Sequence, residues 1–282
     1  GSCNDSFDGS TNNSLNDFDV LDGAGGTDTL TFKTANLDGG VTFIPQLSNI
    51  EVIQVTAADA DTDASDDIAT VQLSGIDSVT KVANIASAED VVFDTVGNLV
   101  DIDLKSPKED TTVTFTDAAL AGTADEITVT IKGTQANTSL VINDAGILPN
   151  SLETIHIKSL AVANTLDHDF SGVAPSTIKI SGDKKLTLED ATDATVITID
   201  ASASTGGVAL AGTGYANATI HGSQGADTIT AAPTGLAYLS LGAGNDTVDF
   251  DATLSALDVV DGGDGVDTLT ISGGNLTQTS VL

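Results

Sequence analysis

The sequence has 282 residues, among them 41 Asp or Glu, 9 Lys and no Arg, and its formal net charge is −32. This charge makes nucleic acid and anionic membrane surfaces poor partners, because both would repel the chain. The single cysteine, Cys3, excludes an internal disulfide, and no run of 18 apolar residues is present that would span a membrane.

The chain starts with a polar segment. Gly1 and Ser2 are interpreted as a cloning remnant, and since no initiator methionine or signal peptide is visible we expect a fragment or a processed product. Residues 3–19, rich in Asn, Asp and Ser, are predicted to form a loose lead-in. We therefore divide the chain into a lead-in at 1–19, a β-rich solenoid-like half at 20–148 and a β-solenoid half at 149–282.

From Val20 onwards, short runs of Thr, Val, Ile and Leu are separated by Gly, Asn and Asp. Runs such as 126–131, with hydrophobic residues at every second position, predict strands with one buried face. Acidic composition is typical of disorder, but a hydrophobic content of 40% in alternating runs favours a folded chain. Helical character is limited to a turn or two within 58–69 and 85–91, so the predicted class is all-β.

A run of acidic residues lies between two predicted strands. Asp59, Asp61 and Asp63 have the spacing that opens a helix-loop-helix calcium loop, but position six is Ala64 and position twelve is Thr70. The run therefore lacks that motif. It is either a calcium site of looser design or a solvated acidic loop. The cluster of Glu189, Asp190 and Asp193 is a weaker candidate of the same kind.

One phrase occurs twice at long range. Residues 47–55, around Glu51, resemble residues 149–157, around Glu153, and the two glutamates are 102 positions apart. This indicates two related halves with a boundary near 145–150. Strands between 152 and 230 recur about every 9 to 11 residues, which is the half-coil step of a two-sheeted solenoid with coils of about 20 residues.

No enzyme motif is found. The histidines at 156, 168 and 221 are scattered, and zinc needs three or four converging ligands. The tripeptide Asp167-His168-Asp169 is the one local arrangement with a catalytic or zinc interpretation, and we do not favour it. The sequence contains no H-E-x-x-H, G-x-S-x-G or G-x-x-x-x-G-K, so we expect no catalytic activity.

Three near-copies of a nine-residue phrase occupy 222–270: Gly222–Thr230, Leu241–Asp249 and Gly262–Thr270. The third fits G-G-x-G-x-D-x-U-x throughout, while Ser223 and Leu241 replace glycines in the others. The aspartates recur after 19 and 21 residues, about one coil, so the loops should stack on one edge. A fourth, incomplete version lies at Gly23–Thr31, without the second glycine and without a tandem partner.

The residue types of these loops point to calcium. Glycine lets the backbone bend so that successive carbonyls face one point, and aspartate adds a charged oxygen. Calcium takes six to eight oxygen ligands, which two stacked loops can supply together. The alternative is ordinary Gly-Asp turns between strands. The predicted ligands are Asp227, Asp246, Asp267 and Asp264, with the backbone of Gly222, Gly225, Gly242, Gly244, Gly262, Gly263 and Gly265, and, at the early loop, Asp28 with Gly23 and Gly26.

The repeats resemble the calcium-binding nonapeptide repeats of RTX proteins. Together with the G-x-D-T-L loops and the phrase L-x-N-I-E-x-I-x-V, they make the chain similar to RTX-type S-layer proteins of Gram-negative bacteria. The resemblance implies a β-solenoid, export by type I secretion, calcium-dependent assembly into a two-dimensional lattice on the cell surface, and no catalysis. It also implies attachment to lipopolysaccharide through regions outside this sequence.

Two other functions are compatible with the same sequence features. The chain is alternatively a segment of a large RTX adhesin, or the export module of a secreted RTX enzyme. For assembly, the net charge of −32 leads us to expect flanks that repel one another until divalent cations bridge them.

Overall fold

The structure is a computed structural model, and we describe most of the chain. The described residues are 2–11, 15–17, 19–34, 40–58, 67–134, 136, 138–146, 151–189, 195–210, 215, 217–230, 236–250 and 254–271.

The described residues form 25 strands and no helix, in three sheets whose paired strands are all parallel. Sheet 1 contains β1 (Ser6–Gly9), β3 (Thr29–Thr34), β6 (Val52–Ala57), β8 (Lys81–Ile85), β10 (Asp101–Lys105), β12 (Glu126–Lys132), β14 (Thr154–Ser159), β16 (Thr177–Gly182), β18 (Thr198–Ser204), β20 (Thr219–His221), β22 (Tyr238–Ser240) and β24 (Val259–Asp261). Sheet 2 contains β4 (Val41–Phe43), β7 (Ile68–Gln72), β9 (Asp90–Val96), β11 (Thr111–Phe115), β13 (Ser139–Asp144), β15 (Asn164–Asp169), β17 (Leu186–Glu189), β19 (Val208–Leu210), β21 (Thr228–Ile229), β23 (Thr247–Asp249) and β25 (Thr268–Thr270). Sheet 3 pairs β2 (Val20–Asp22) with β5 (Gln46–Ser48).

From β6 onwards the chain alternates between sheets 1 and 2, so two consecutive strands make one coil of a solenoid. In these coils each strand hydrogen-bonds to the strand two positions further along the chain in the same sheet, as β12 does to β14. In the first coils the step is three positions, since β3 pairs with β6 and β4 with β7. Sheet 3 adds a third short side to the first coils. The prediction of an all-β parallel solenoid is confirmed.

The core consists of stacked columns of aliphatic side chains. In sheet 1, residues in register on six neighbouring strands point inward, and none is more than 2% exposed. They are Ile127, Ile155, Ile178, Ile199, Ile220 and Leu239. Because side chains alternate along a strand, the residues between them face outward. The same period-two pattern that predicted the strands thus builds one continuous core.

Two expectations change. The predicted lead-in contributes a strand, since β1 pairs with β3 at the start of sheet 1. The segment 85–91 is not helical, because a bend at 86–89 joins β8 to β9. Of the segment 58–69, residues 59–66 lie outside the described part. Both sheets also continue across the boundary predicted near 148, through the pairs β12–β14 and β13–β15.

No helix in the described part of the chain is long and apolar enough to cross a membrane.

Candidate functional site

The three glycine–aspartate loops lie on one edge of the solenoid, where the chain passes from sheet 1 to sheet 2. We call this the repeat edge, formed by 222–227, 241–246 and 262–267. The main-chain amide of Asp227 donates to Oδ1 of Asp246 at 2.8 Å, and that of Asp246 donates to Oδ1 of Asp267 at 3.0 Å. Thr247 and Thr268 return hydrogen bonds to the carbonyls of Asp227 and Asp246. The loops therefore stack in register, as their spacing predicted.

Glycines allow this close stacking. Gly242 and Gly244 have φ of 91° and 143°, and Gly263 and Gly265 have φ of 80° and 145°, values that side chains disfavour. The carbonyl oxygens of Gly242 and Gly244 lie where Cβ atoms on Gly263 and Gly265 would be. Any other residue at position 263 or 265 would push the two backbones apart. The second loop thus presents carbonyl oxygens directly to the third.

The first loop has another conformation. Neither Ser223 nor Gly225 has a positive φ. Instead, the carboxylate of Asp227 is fully hydrogen-bonded: it accepts from the amide and the hydroxyl of Ser223 and from the amide of Val208, each at 2.7 Å. Ser223, which replaces the second glycine of the repeat, thus lies beside Asp227 and donates its hydroxyl to the carboxylate.

Asp246 differs from Asp227 in one respect that bears on metal binding. Its Oδ1 accepts from Asp227, but its Oδ2 is buried and has no hydrogen-bond partner. Burial raises the pKa of Asp246, and the nearby carboxylates of Asp227 and Asp267 raise it further, against the hydrogen bond from the Asp227 amide. Burial likewise raises the pKa of Asp227, although hydrogen bonds from Ser223 oppose it. An unpartnered buried carboxylate oxygen is costly unless a cation or a proton meets it.

The loops around Asp246 and Asp267 fit calcium. They offer a buried carboxylate oxygen, a second aspartate and backbone carbonyls, which are the hard oxygen ligands that calcium takes. No group of three or more His, Cys, Asp or Glu side chains converges anywhere in the described ranges. Carbonyls and water would therefore supply most of the ligands. Asp264 takes part through its backbone, which exchanges hydrogen bonds with Gly242 and Gly244, and its side chain is exposed.

The early loop has the backbone of a repeat. Ala24 and Gly26 have φ of 65° and 135°, close to the values at the equivalent positions 242 and 244. Asp28 is fully buried; its Oδ1 accepts from the amide of Asp5 at 2.6 Å, and its Oδ2 has no hydrogen-bond partner. This loop leads from β2 into β3, so it lies on a different edge from the repeats. As in Asp246, one carboxylate oxygen of Asp28 accepts a main-chain amide and the other is buried without a hydrogen-bond partner.

The structure assigns a role to the repeated phrase around Glu51 and Glu153 that the sequence did not reveal. Oε2 of Glu51 accepts the amide of Asp28 at 2.7 Å, and Oε2 of Glu153 accepts the amide of Asp125 at 2.7 Å. Each glutamate thus joins its coil to the preceding one, as the repeat aspartates do. The coil that contains Glu51 is therefore the neighbour of the Asp28 loop, and Glu51 takes the place that an aspartate has in the repeats.

The remaining candidates are dispersed. Asp59, Asp61 and Asp63 lie outside the described residues, as do Asp190 and Asp193, while Glu189 is on the outer face of sheet 2. Asp167 and Asp169 also face outward, whereas His168 between them points inward and packs against Phe170 with ring centroids 4.7 Å apart. These three side chains do not converge on one site.

No protein-family model, curated protein sequence or solved structure matches the chain.

Proposed function

We propose that this chain is a calcium-stabilised structural segment of an RTX-type bacterial surface layer. The observation that carries the proposal is the buried Oδ2 of Asp246, which has no hydrogen-bond partner and lies within stacked glycine–aspartate loops. A divalent cation at this point would neutralise a dry carboxylate and tie two coils together. The early loop around Asp28 is the second site we propose, on the same criterion.

Calcium suits this role because it accepts carbonyl and carboxylate ligands in flexible numbers. Extracellular calcium modules bind with dissociation constants of about 10⁻⁴ to 10⁻³ M. At about 1 mM calcium, one such site stabilises the folded state by roughly 0.4 to 1.4 kcal/mol. Two or more sites, with reduced repulsion in a chain of net charge −32, become a sizeable part of the roughly 5–15 kcal/mol that is typical of a domain.

A structural role is supported by how the chain uses its functional groups. Half-buried and buried carboxylates join neighbouring coils, and the interior is filled by aliphatic columns. The two sheets present broad faces rich in threonine, which suit contacts between copies. Assembly into a lattice, the location at the cell surface and export by type I secretion come from the resemblance to S-layer proteins.

Electron microscopy of purified protein on a calcium-containing surface tests the proposal. Ordered two-dimensional sheets that disappear in chelator are the expected result. Isolated rods would overturn the lattice function and favour the adhesin. Isothermal titration on the same sample separates the two parts of the proposal, because absence of calcium binding would remove the cation as well.

A further inference from the structure

The few lysines of this acidic chain are concentrated on one sheet. In the described strands, sheet 1 contains six lysines and sheet 2 contains none. All six alternate with buried residues, so they lie on the outer face of sheet 1. They are Lys33, Lys81, Lys105, Lys132, Lys158 and Lys179.

The centre of that outer face, from β8 to β16, carries five of the lysines against three carboxylates. Ion pairs join Lys81 to Asp103 at 3.8 Å and Lys179 to Glu126 at 2.8 Å. The other three, Lys105, Lys132 and Lys158, have no carboxylate within ion-pair distance in the described part of the chain. We call this surface the lysine face.

The outer face of sheet 2 over the corresponding coils, from β9 to β17, has the opposite character. Five carboxylates point outward there, and no lysine of these strands accompanies them. We call it the carboxylate face, and its charged residues are Asp90, Asp94, Asp167, Asp169 and Glu189. The outer face of sheet 1 thus differs in charge from the carboxylate-bearing flanks that the net charge led us to expect.

Each face contains like charges directly opposite each other. Lys105 pairs in register with Lys132 on the lysine face, and Asp167 pairs in register with Glu189 on the carboxylate face. Like charges opposite one another on neighbouring strands destabilise a sheet. Neither pair is neutralised within its own face, whereas each supplies the charge that the other lacks.

We propose that copies of this chain associate side by side, with the lysine face of one copy against the carboxylate face of the next. This rests on the self-association proposed above and identifies its lateral contact. At about 0.15 M salt the Debye length is about 8 Å, so charges that face each other across the contact outweigh the remote net charge. Because the two faces are different surfaces, the contact is heterologous and extends into an open row instead of a closed dimer.

The size of the faces indicates a weak contact that repetition strengthens. Five strands about 4.8 Å apart and about 20 Å long present roughly 500 Å² per copy. The contact then buries about 1,000 Å² in total, which is at the lower limit for a specific interface. Association is accordingly measured at high protein concentration, by sedimentation velocity and light scattering.

A charge swap tests the pairing. One variant reverses the lysine face, Lys132→Glu with Lys158→Glu, and a second reverses the carboxylate face, Asp167→Lys with Glu189→Lys. Each variant alone brings like charges together, so its association constant should fall at least about tenfold. An equimolar mixture pairs each reversed face with a complementary one and should restore association. The matched control, Lys108→Glu with Lys184→Glu, makes the same charge change in loops and should associate like the unaltered chain.

The measurements are made in calcium and in chelator, with circular dichroism to confirm that each variant is folded. Equal association of all variants in calcium would overturn the face pairing and leave the calcium-dependent lattice standing. Association in chelator that the swap abolishes and restores would support the pairing and contradict the calcium requirement. An unaltered chain that stays monomeric in both conditions would overturn the pairing together with the lattice.

Discussion

Asp227 and Asp246 are joined across two coils: the main-chain amide of the first donates to Oδ1 of the second at 2.8 Å. The other oxygen of Asp246, Oδ2, is buried and has no hydrogen-bond partner. One side chain therefore holds the coils together and keeps a second oxygen that would be available to the proposed cation. Because the two oxygens have different roles, a substitution can change cation binding without removing the hydrogen bond between the coils.

Asp246→Asn should reduce the stabilisation by calcium and raise the stability of the metal-free protein. Asparagine keeps an oxygen that can accept the Asp227 amide, but it removes a buried negative charge and a charged ligand. The difference in unfolding free energy between calcium and chelator should shrink by roughly 0.4 to 1.4 kcal/mol at about 1 mM calcium. Thermal unfolding under both conditions measures it.

The control is Asp249→Asn, which makes the same charge change in the same coil on the outer face of sheet 2. It should leave the calcium-dependent difference unchanged. An Asp246 variant that gains as much from calcium as the unaltered chain would contradict coordination by Oδ2.

Ser223→Gly should add calcium binding to the first loop. The serine hydroxyl now donates to Oδ1 of Asp227, and glycine would remove that donor while permitting the positive φ seen at Gly242 and Gly263. The main-chain amides of residues 208 and 223 would still donate to the carboxylate. In chelator the variant should lose about 1–3 kcal/mol, because Oδ1 of the buried Asp227 carboxylate loses the hydroxyl, one of its two donors. Isothermal titration should show one more site, or tighter binding, than the unaltered chain.

Ser223→Ala distinguishes the hydroxyl from the backbone. Alanine also removes the hydroxyl donor, but its Cβ opposes the positive φ that the other two loops adopt. It should therefore be destabilised in chelator and gain less calcium binding than Ser223→Gly. Equal calcium stoichiometry and affinity in all three proteins would show that the serine does not control this loop.

The sequence predicted the strands and the stacking of the repeats, because alternation and a spacing of 19 to 21 residues are properties of single coils. The contacts made by Glu51 and Glu153 were not predictable in this way. A hydrogen bond from one coil to the next depends on the register of both, and neither glutamate lies in a glycine–aspartate phrase. The closing of the first loop by Ser223 was missed for a similar reason, since the sequence marks only a missing glycine. The β1 strand was missed because its residues are polar and lack a hydrophobic alternation. It is a strand because it pairs with β3.

In chelator, the repeat edge should lose stability as the pH rises. Burial raises the pKa of Asp227 and Asp246 above the ordinary 3.8, so the folded state binds these protons more tightly than the unfolded state. Their contribution is fully present below the ordinary value and is lost as the pH rises through the raised folded pKa. Comparing the unfolding midpoint of the unaltered chain with that of Asp246→Asn over this range isolates the effect.

Asp200 provides the opposite sign. Its pKa is lowered, chiefly by the hydrogen bond from the Ser202 hydroxyl, so its contribution is present above the ordinary value and is lost on acidification. The stability difference between the unaltered chain and Asp200→Asn should therefore grow with pH, while the difference at Asp246 should change in the other direction. Parallel slopes for the two variants would contradict the burial of Asp246.

Hydrogen exchange should show that the repeat coils open first when calcium is removed. The strands β21, β23 and β25 have two or three residues, whereas β12, β14 and β16 have six or seven. Within the described residues, Leu269 is the last member of the aliphatic column of sheet 2 and is 49% exposed, while its neighbour Val248 is 2% exposed. Short strands with an open column leave less buried area to oppose opening.

In chelator, amides of β21 and β23 should therefore exchange faster than those of β12 to β16. Calcium at about 1 mM should slow the repeat amides by roughly 2- to 10-fold for each bound ion, because it binds the closed coils only. The amides of the middle strands are the internal control and should change little. Equal protection of both regions in chelator would contradict this order of opening, and slowing by matched sodium chloride would assign the effect to screening instead of coordination.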